Sequence, residues 1–297
     1  MDFSKELKGF SHAKITFEQP MKKFTTLGVG GCADYFAEVD SLYGLNLLIS
    51  LAKEYNQPYF LLGNGTNILI SDKGYRGLII CLKKLNDVFF KRDLVRAMAG
   101  ANIDKVLKFN LANGLTGLER LSGIPATIGG AIVMNAGAFG HNISDHIVNV
   151  QTLYQGKINS YDKEQCEFAY RKSRFLGRKE IIISATFNFE YDSKETIEKN
   201  IKNYADLRRQ IQPIGKSCGS VFKNPKGYSA GELIDRANLK GLRIGGAFVS
   251  ERHANFIITQ SNALSSDVYA LIQHIKEKVK DKFDITLKEE VEFIGEF

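Results

Sequence analysis

Hydrophobic and polar positions change period several times along the chain, and each change marks an element. Leu45, Leu48, Ile49 and Ala52 fall on one helical face and predict a helix over 42–55. Pro58 then opens an apolar run, Tyr59 to Leu62, that reads as a buried strand, followed by "GNGTN" (63–67) as a tight turn. "ILISD" and "RGLIICL" read as two further strands separated by Lys73 and Gly74. Ile103, Val106, Leu107 and Leu111 predict a helix from Asn102 to Asn113, stopped by Gly114. From Ile147 to Tyr191 the pattern is strand-rich, with "EIIISATFNFEY" (180–191) the clearest strand, alternating through Ala185, Phe187 and Phe189. A charged amphipathic helix follows from Ser193 to Gln212 and ends at Pro213; its start is the expected main domain boundary. Beyond it come a helix opened by a capping box, Ser229-x-x-Glu232, the strand "ANFIIT", and a helix from Ser266 to Phe283 with Val268, Leu271, Ile272, Ile275 and Val279 inward. "TLKEEVEFIG" is the final strand, alternation placing Leu287, Glu289, Val291 and Phe293 on one face and Lys288, Glu290 and Glu292 on the other. The order is α+β, without the regular βαβα of a doubly wound sheet.

Composition narrows the function classes. With 297 residues, 44% of them hydrophobic, the chain can fill two or three modules. "MDFSKELKGF" carries charges where a signal peptide needs an apolar centre, so a cytoplasmic protein without a targeting segment is expected. Cys32, Cys81, Cys166 and Cys218 form no C-x-x-C and lack a histidine at zinc spacing, which predicts four thiols and no metal. The net charge of +7 favours anionic partners such as nucleic acid, phosphorylated cofactors or an acidic substrate. The basic residues are interleaved with acids, and no RNA-binding aromatic motif or helix-turn-helix signature appears, which argues against nucleic acid.

Several motifs fit in part. "GVGGCA" (28–33) matches the dinucleotide fingerprint, but "DYFAEV" after it alternates like a strand, and that fingerprint needs a helix to aim at the pyrophosphate. "GKS" (215–217) resembles the end of a Walker A loop, yet Gln210 stands where its first glycine belongs. His12, His141, His146, His253 and His274 form no H-E-x-x-H and no visible triad. The remaining question is "GIPATIGGAIVMNAGAFG" (123–140), with five glycines, four alanines and no charge. Pro125 interrupts it, and Glu119, Arg120, His141 and Asp145 bracket it too closely for a membrane span. A flat ligand lying against the backbone is the other explanation, since a Cβ would collide with it.

Read with its flanks, "GLTGLERLSGIPATIGGAIVMNAGAFG" (114–140) resembles the signature of the UDP-N-acetylenolpyruvoylglucosamine reductase (MurB) family. "FTTLGVGGCADYF" (24–36), "LLGNGTNILISD" (61–72), "FAYRKSRF" (168–175) and "SCGSVFKNPKGYSAGELID" (217–235) agree in the expected order, and "GAFVSERHANFIIT" (246–259) and "LKEEVEFIG" (287–295) complete the likeness. Residues 176–192 leave no room for the long substrate-covering insertion of one branch, so the chain resembles the shorter branch.

The resemblance implies an FAD-binding fold of the vanillyl-alcohol oxidase type. Its two α+β subdomains, 1–85 and 86–192, would clasp non-covalent FAD, and a C-terminal α+β substrate domain, 193–297, would follow. It implies that NADPH reduces the flavin and leaves, after which flavin N5 gives hydride to the terminal carbon of the enolpyruvyl ether of UDP-N-acetylglucosamine enolpyruvate. The product is UDP-N-acetylmuramate, a precursor of peptidoglycan. Arg171 would be the cation for the resulting enolate, Ser220 the proton donor and Glu290 a third group near the same carboxylate. Flavin contacts are implied at Thr26, Gly30, Gly63, Asn64, Gly65, Thr66 and Asn67, then at Gly100, Ser122, Gly123 and Pro125. Ile128, Gly129, Ala131, Asn135 and Gly137 complete that set. Tyr170, Lys223, Asn224 and one of Arg208 or Arg209 are candidates for the UDP-sugar. A monomer is expected, with no nucleic-acid or membrane partner. An FAD-dependent hydroxy-acid dehydrogenase of the same fold would lack the trio and would not accept electrons from NADPH. A basic nucleic-acid-binding protein would be colourless and would bind DNA with a steep salt dependence.

Overall fold

The structure, a computed structural model, describes residues 2–297. By packing, the chain divides into two units. One holds the described residues through Thr16 with Phe36–Asn64 and Leu78–Arg208; the other holds Phe17–Tyr35, Gly65–Gly77 and Arg209–Phe297.

The first unit is built on a five-stranded antiparallel sheet, in the order Lys157–Asp162, Ile147–Tyr154, Ile181–Phe187, Leu94–Met98 and Val88–Lys91. Every residue of the central strand Ile181–Phe187 is buried, so its first half shows a continuous apolar run instead of alternation. The expected strand ends at Phe187; Glu190–Tyr191 pairs separately with Leu115–Thr116. Helix Ile103–Asn113 starts where Asn102 accepts from the Lys105 N–H at 2.8 Å and stops at Gly114, whose φ of 66° is left-handed. Its Val106 and Leu107 join Leu121, Ile128, Ile132, Val150 and Phe187 in one core.

Helix Leu42–Glu54 appears as expected, buried through Leu45, Leu48, Ile49 and Ala52. Strand Tyr59–Leu62 follows it, though only Leu62 is fully buried. This strand is the edge of a four-stranded sheet ordered Lys14–Pro20, Cys32–Glu38, Tyr75–Cys81, Tyr59–Leu62, which explains its half-exposed face. The chain runs from "GVGGCA" straight into strand Cys32–Glu38, so the rejection of a dinucleotide fingerprint holds.

The second unit is centred on helix Ser265–Phe283. Val268, Leu271, Ile272, Ile275 and Val279 are each at most 1% exposed and pack with Leu233 and Ile234 of helix Ala230–Arg236 and with Val249 and Ile257. Burial of each such side chain is worth about 1.5–3 kcal/mol, enough to make this face the unit's organising contact. Leu27, Val29 and Leu69 enter the same core from distant sequence. The expected strand "ANFIIT" shrinks to Ile257–Thr259, in a three-stranded sheet with Ala247–Val249 and Arg243–Ile244. One half of the capping box forms: Ser229 Oγ accepts from the Glu232 N–H at 3.3 Å, whereas the Glu232 carboxylate lies 3.7 Å from Arg236 one turn on. The last expected strand breaks in two: Lys288–Glu289 pairs antiparallel with Phe222–Lys223, and Glu292–Ile294 pairs parallel with Ile68–Ile70.

The N-terminus of helix Ser265–Phe283 is capped from far away in sequence. Asp72 accepts from the Ser265 and Ser266 N–H groups, one on each carboxylate oxygen, at 2.8 Å. Burial pushes the Asp72 pKa up, but the hydrogen bonds from Ser266 and Ser265 outweigh it, and the net shift is downward. A folded-state pKa below the unfolded one gives stability that is present above the unfolded carboxylate range and lost as pH falls through the folded value. Asp72→Ala should therefore lower stability by about 1 kcal/mol at neutral pH. Thermal unfolding of both proteins through the acid range checks it: the gap should close as pH drops, and a gap independent of pH would contradict the capping account.

Candidate functional site

In the first unit, the glycine- and alanine-rich stretch forms an unexpected short helix, Ile128–Val133. Thr127 caps it by accepting from the Gly130 N–H at 3.4 Å. The helix start is docked by backbone bonds from Ile128 to Ala101 at 2.7 Å and from Gly129 to Ala99 at 2.8 Å. A Cβ on Gly63 would overlap Thr127 Oγ1, one on Gly129 would press on Ala99 at 3.1 Å, and one on Gly137 would overlap the Asn142 side chain. At these three glycines the absence of a Cβ lets chain approach chain. The Asn64 carboxamide, meanwhile, donates to the Pro125 carbonyl at 3.0 Å.

Two features fit a flavin dinucleotide. In the turn 63–67, with Gly65 at φ 64°, the amides of Asn64, Gly65, Thr66 and Asn67 have no acceptor among the described residues. Successive N–H groups in a turn with a left-handed residue cradle anions such as a pyrophosphate. The second feature is Asn135, 4% exposed, whose Oδ1 is buried without a protein donor and so suits the N–H edge of a ring system. Thr26 is held by its N–H to the Gly65 carbonyl at 3.0 Å, and Ser122 and Gly123 lie beside Arg208.

Arg171 sits on a two-residue turn closed by mutual backbone bonds between Ala169 and Lys172. Its φ of 50° is left-handed, an outlier for a residue with a long side chain, of the kind that persists where neighbours over-determine the backbone. The neighbours here are Asn135, which donates to the Ala169 carbonyl at 3.1 Å, and Ser173, which donates to the Val133 carbonyl at 2.7 Å. Arg171 Nη2 itself donates to the Gly137 carbonyl at 3.3 Å. "YRKS" is thereby stapled to the 133–137 stretch, and the guanidinium lies 5.2 Å from the exposed Tyr170 ring.

In the second unit, Ser220 and Glu290 come together. Val221, next to Ser220, accepts at its carbonyl from the Glu290 N–H at 2.7 Å, and Phe222 pairs with Glu289. Asn67 donates to the Glu290 carbonyl at 2.9 Å. Cys218 is fully buried nearby; burial, with the Glu290 charge adding, pushes its thiol up to about 12. Such a thiol neither ionises near neutral pH nor faces solvent, whereas Ser220 is half-buried. All four cysteines are thiols, and among the described residues no cluster could hold a metal ion.

The candidates for the UDP-sugar separate. Arg208 Nε donates to the Ser122 carbonyl at 2.9 Å, its guanidinium lies 5.3 Å from the Phe139 ring, and burial lowers its pKa. That guanidinium is engaged with the 120–123 loop. Asn224 Oδ1 accepts from the Ala230 N–H at 3.0 Å, and Lys223 ends the strand paired with Lys288. Asn255, a carboxamide inside the apolar run "ANFII", is buried and bonds both backbone groups of Phe222.

Comparison with known proteins gives a consistent picture. A family model described as "UDP-N-acetylenolpyruvoylglucosamine reductase, C-terminal domain" matches residues 210–294, and one described as "FAD binding domain" matches 33–157. The chain is similar to a UDP-N-acetylenolpyruvoylglucosamine reductase of Caldanaerobacter subterraneus, at 40% identity over 95% of this chain and 94% of the relative. One of Streptococcus thermophilus is similar at 41% identity over 95% and 93%. A crystal structure of UDP-N-acetylenolpyruvylglucosamine reductase from Thermus caldophilus aligns with a TM-score of 0.81 at 33% identity, over 95% of this chain and 99% of that one.

Proposed function

The chain belongs to the UDP-N-acetylenolpyruvoylglucosamine reductase family, and from that premise we propose how its residues carry out the reaction. It is an FAD-containing, NADPH-dependent oxidoreductase that reduces UDP-N-acetylglucosamine enolpyruvate to UDP-N-acetylmuramate, a step of peptidoglycan precursor synthesis. When bound, FAD supplies to the terminal CH2 carbon of the enolpyruvyl ether the hydride taken from NADPH. Negative charge then develops on the carbon beside the carboxylate, and a dianionic enolate needs a fixed cation and a proton donor.

Arg171 is that cation. Its planar fork matches a carboxylate, and its turn is fixed by Asn135 and Ser173, so little reorganisation is needed as charge develops. Ser220 gives the proton: it leaves Oγ, bonds to the enolate carbon, and is replaced from solvent. Glu290, whose backbone N–H bonds the Val221 carbonyl next to Ser220, steadies this exchange through hydrogen bonds. The observation that carries the reading is the convergence of the Ser220 and Glu290 strands at Val221. The turn 63–67, with Ser122, Gly123, Pro125, Ile128, Ala131 and Asn135, holds the flavin, as do Thr26, Gly30 and Gly100. Tyr170, Lys223 and Asn224 contact the UDP-sugar. The division 1–85 and 86–192 for flavin, 193–297 for substrate, belongs to the same proposal, as do a monomeric state and a cytoplasmic location. No helix among the described residues is long and apolar enough to cross a membrane.

The purified protein should be yellow, with one non-covalent FAD per chain that acid precipitation releases completely. It should oxidise NADPH in the presence of the enolpyruvyl substrate. Colour retained in the pellet, FMN in the supernatant, or NADPH oxidation indifferent to that substrate would overturn the reading.

A further inference from the structure

We infer that Asn255 is a positioning residue for proton transfer, fixing the direction of the Ser220 hydroxyl through the two residues that follow it. The inference rests on the assignment of Ser220 as proton donor. Gly219, just before Ser220, has a left-handed φ of 76° and nothing within 4 Å of the place its Cβ would occupy. Ser220 forms an isolated antiparallel bridge with Phe256, and the chain on its far side is fixed at Val221 and Phe222.

Both are held by Asn255. Its backbone carbonyl accepts from the Val221 N–H at 2.8 Å, its Oδ1 from the Phe222 N–H at 2.9 Å, and its Nδ2 donates to the Phe222 carbonyl at 2.8 Å. The carboxamide does for Phe222 what a neighbouring strand would do, meeting both of its backbone groups. Glu290 and Val291 hold Val221 from its carbonyl. Val221 is thus bonded through its N–H to Asn255 and through its C=O to the strand of Glu290.

Asn255 is itself fixed. It is 4% exposed, and its N–H donates to His253 Nδ1 at 3.2 Å. Accepting there, the imidazole is neutral, in keeping with a pKa lowered by burial, and it packs on Phe256 with ring centroids 4.8 Å apart. Between Ala254 and Phe256 an aliphatic side chain would fill space more cheaply, since a buried carboxamide must satisfy every donor and acceptor. Its polar atoms are both directed at the main chain beside Ser220.

The test compares Asn255→Ala, Asn255→Asp and Ser220→Ala in the FAD-loaded enzyme. Asn255→Asp keeps an acceptor for the Phe222 N–H but sets a carboxylate oxygen against the Phe222 carbonyl, and serves where the alanine variant fails to fold. In stopped-flow absorbance, flavin reduction by NADPH should stay within about two-fold of the parent. Reoxidation by the enolpyruvyl substrate should slow about 10–100-fold, the usual consequence of an ångström-scale misplacement. KM should move little, and the solvent deuterium isotope effect on reoxidation should rise as proton transfer becomes limiting. Amide hydrogen exchange across 218–224 should quicken in both Asn255 variants. Asn255→Ala combined with Ser220→Ala should be no slower than Ser220→Ala alone, because the first acts through the second. If both half-reactions slow together with an unchanged isotope effect, Asn255 is merely structural and the inference fails. If Ser220→Ala slows reoxidation and the folded Asn255 variants do not, the inference fails while the reading of Ser220 stands. If Ser220→Ala itself reoxidises at the parental rate, the assignment of Ser220 falls and the inference with it.

Discussion

Ser220→Ala should leave the reduction of bound flavin by NADPH near the parental rate and slow reoxidation by the enolpyruvyl substrate by roughly 10²–10⁴-fold, the usual contribution of a general acid. The separation follows from the order of events, since no proton reaches the substrate carbon until hydride has been delivered. A neutral serine is a poor acid and serves only where the acceptor is strongly basic, as an enolate carbon beside a carboxylate is. No neighbour takes over: Cys218, two residues away, is buried with its thiol pushed up to about 12, and the Gly219 turn lies between them. Stopped-flow absorbance of each half-reaction measures both rates. Equal slowing of the two would point to a damaged flavin site, and an unchanged second step would remove Ser220 from the mechanism.

What the sequence could disclose depended on how local the cause was. Helix Ser265–Phe283 was legible almost to the residue because one face is buried along its length, so its five inward aliphatics repeat at helical spacing. The N-terminal cap of that helix was not legible. Asp72 lies 193 residues before Ser265, and no local pattern connects them. The final strand failed for a related reason. Alternation through Val291 is real, with Leu287 and Val291 buried and Lys288 exposed, but the hydrogen-bonding partner changes between Glu289 and Glu292. Side-chain period does not register a change of partner.

For the site, the family likeness supplied Arg171, Ser220 and Glu290, which periodicity alone could not separate from solvated residues. The structure adds the local cause of each placement. It also shows that at Gly63, Gly129 and Gly137 the missing Cβ makes room for Thr127, Ala99 and Asn142, contacts that glycine content alone does not disclose. Arg208, an expected nucleotide contact, directs its Nε at the Ser122 carbonyl.

Arg171→Lys should retain full FAD content and lower turnover of the enolpyruvyl substrate by roughly 10²–10³-fold, the scale of losing a donor aimed at developing charge. Lysine keeps the positive charge, so a loss of this size isolates geometry from charge. The ammonium is a point donor on a flexible stem and cannot present two parallel N–H groups to a carboxylate, nor reach the Gly137 carbonyl while doing so. The backbone is a built-in control. Position 171 has φ 50°, a strain that lysine and arginine bear alike, and the staples from Asn135 and Ser173 attach to other residues of the turn. The fold and the flavin segment should therefore be untouched, which thermal unfolding and the flavin absorbance per chain would verify. Reduction by NADPH should proceed as in the parent, with the loss confined to the step in which the enolate forms. Turnover equal to the parent's would mean that charge alone suffices at this position, and the fork of Arg171 would lose its assigned part in the reaction.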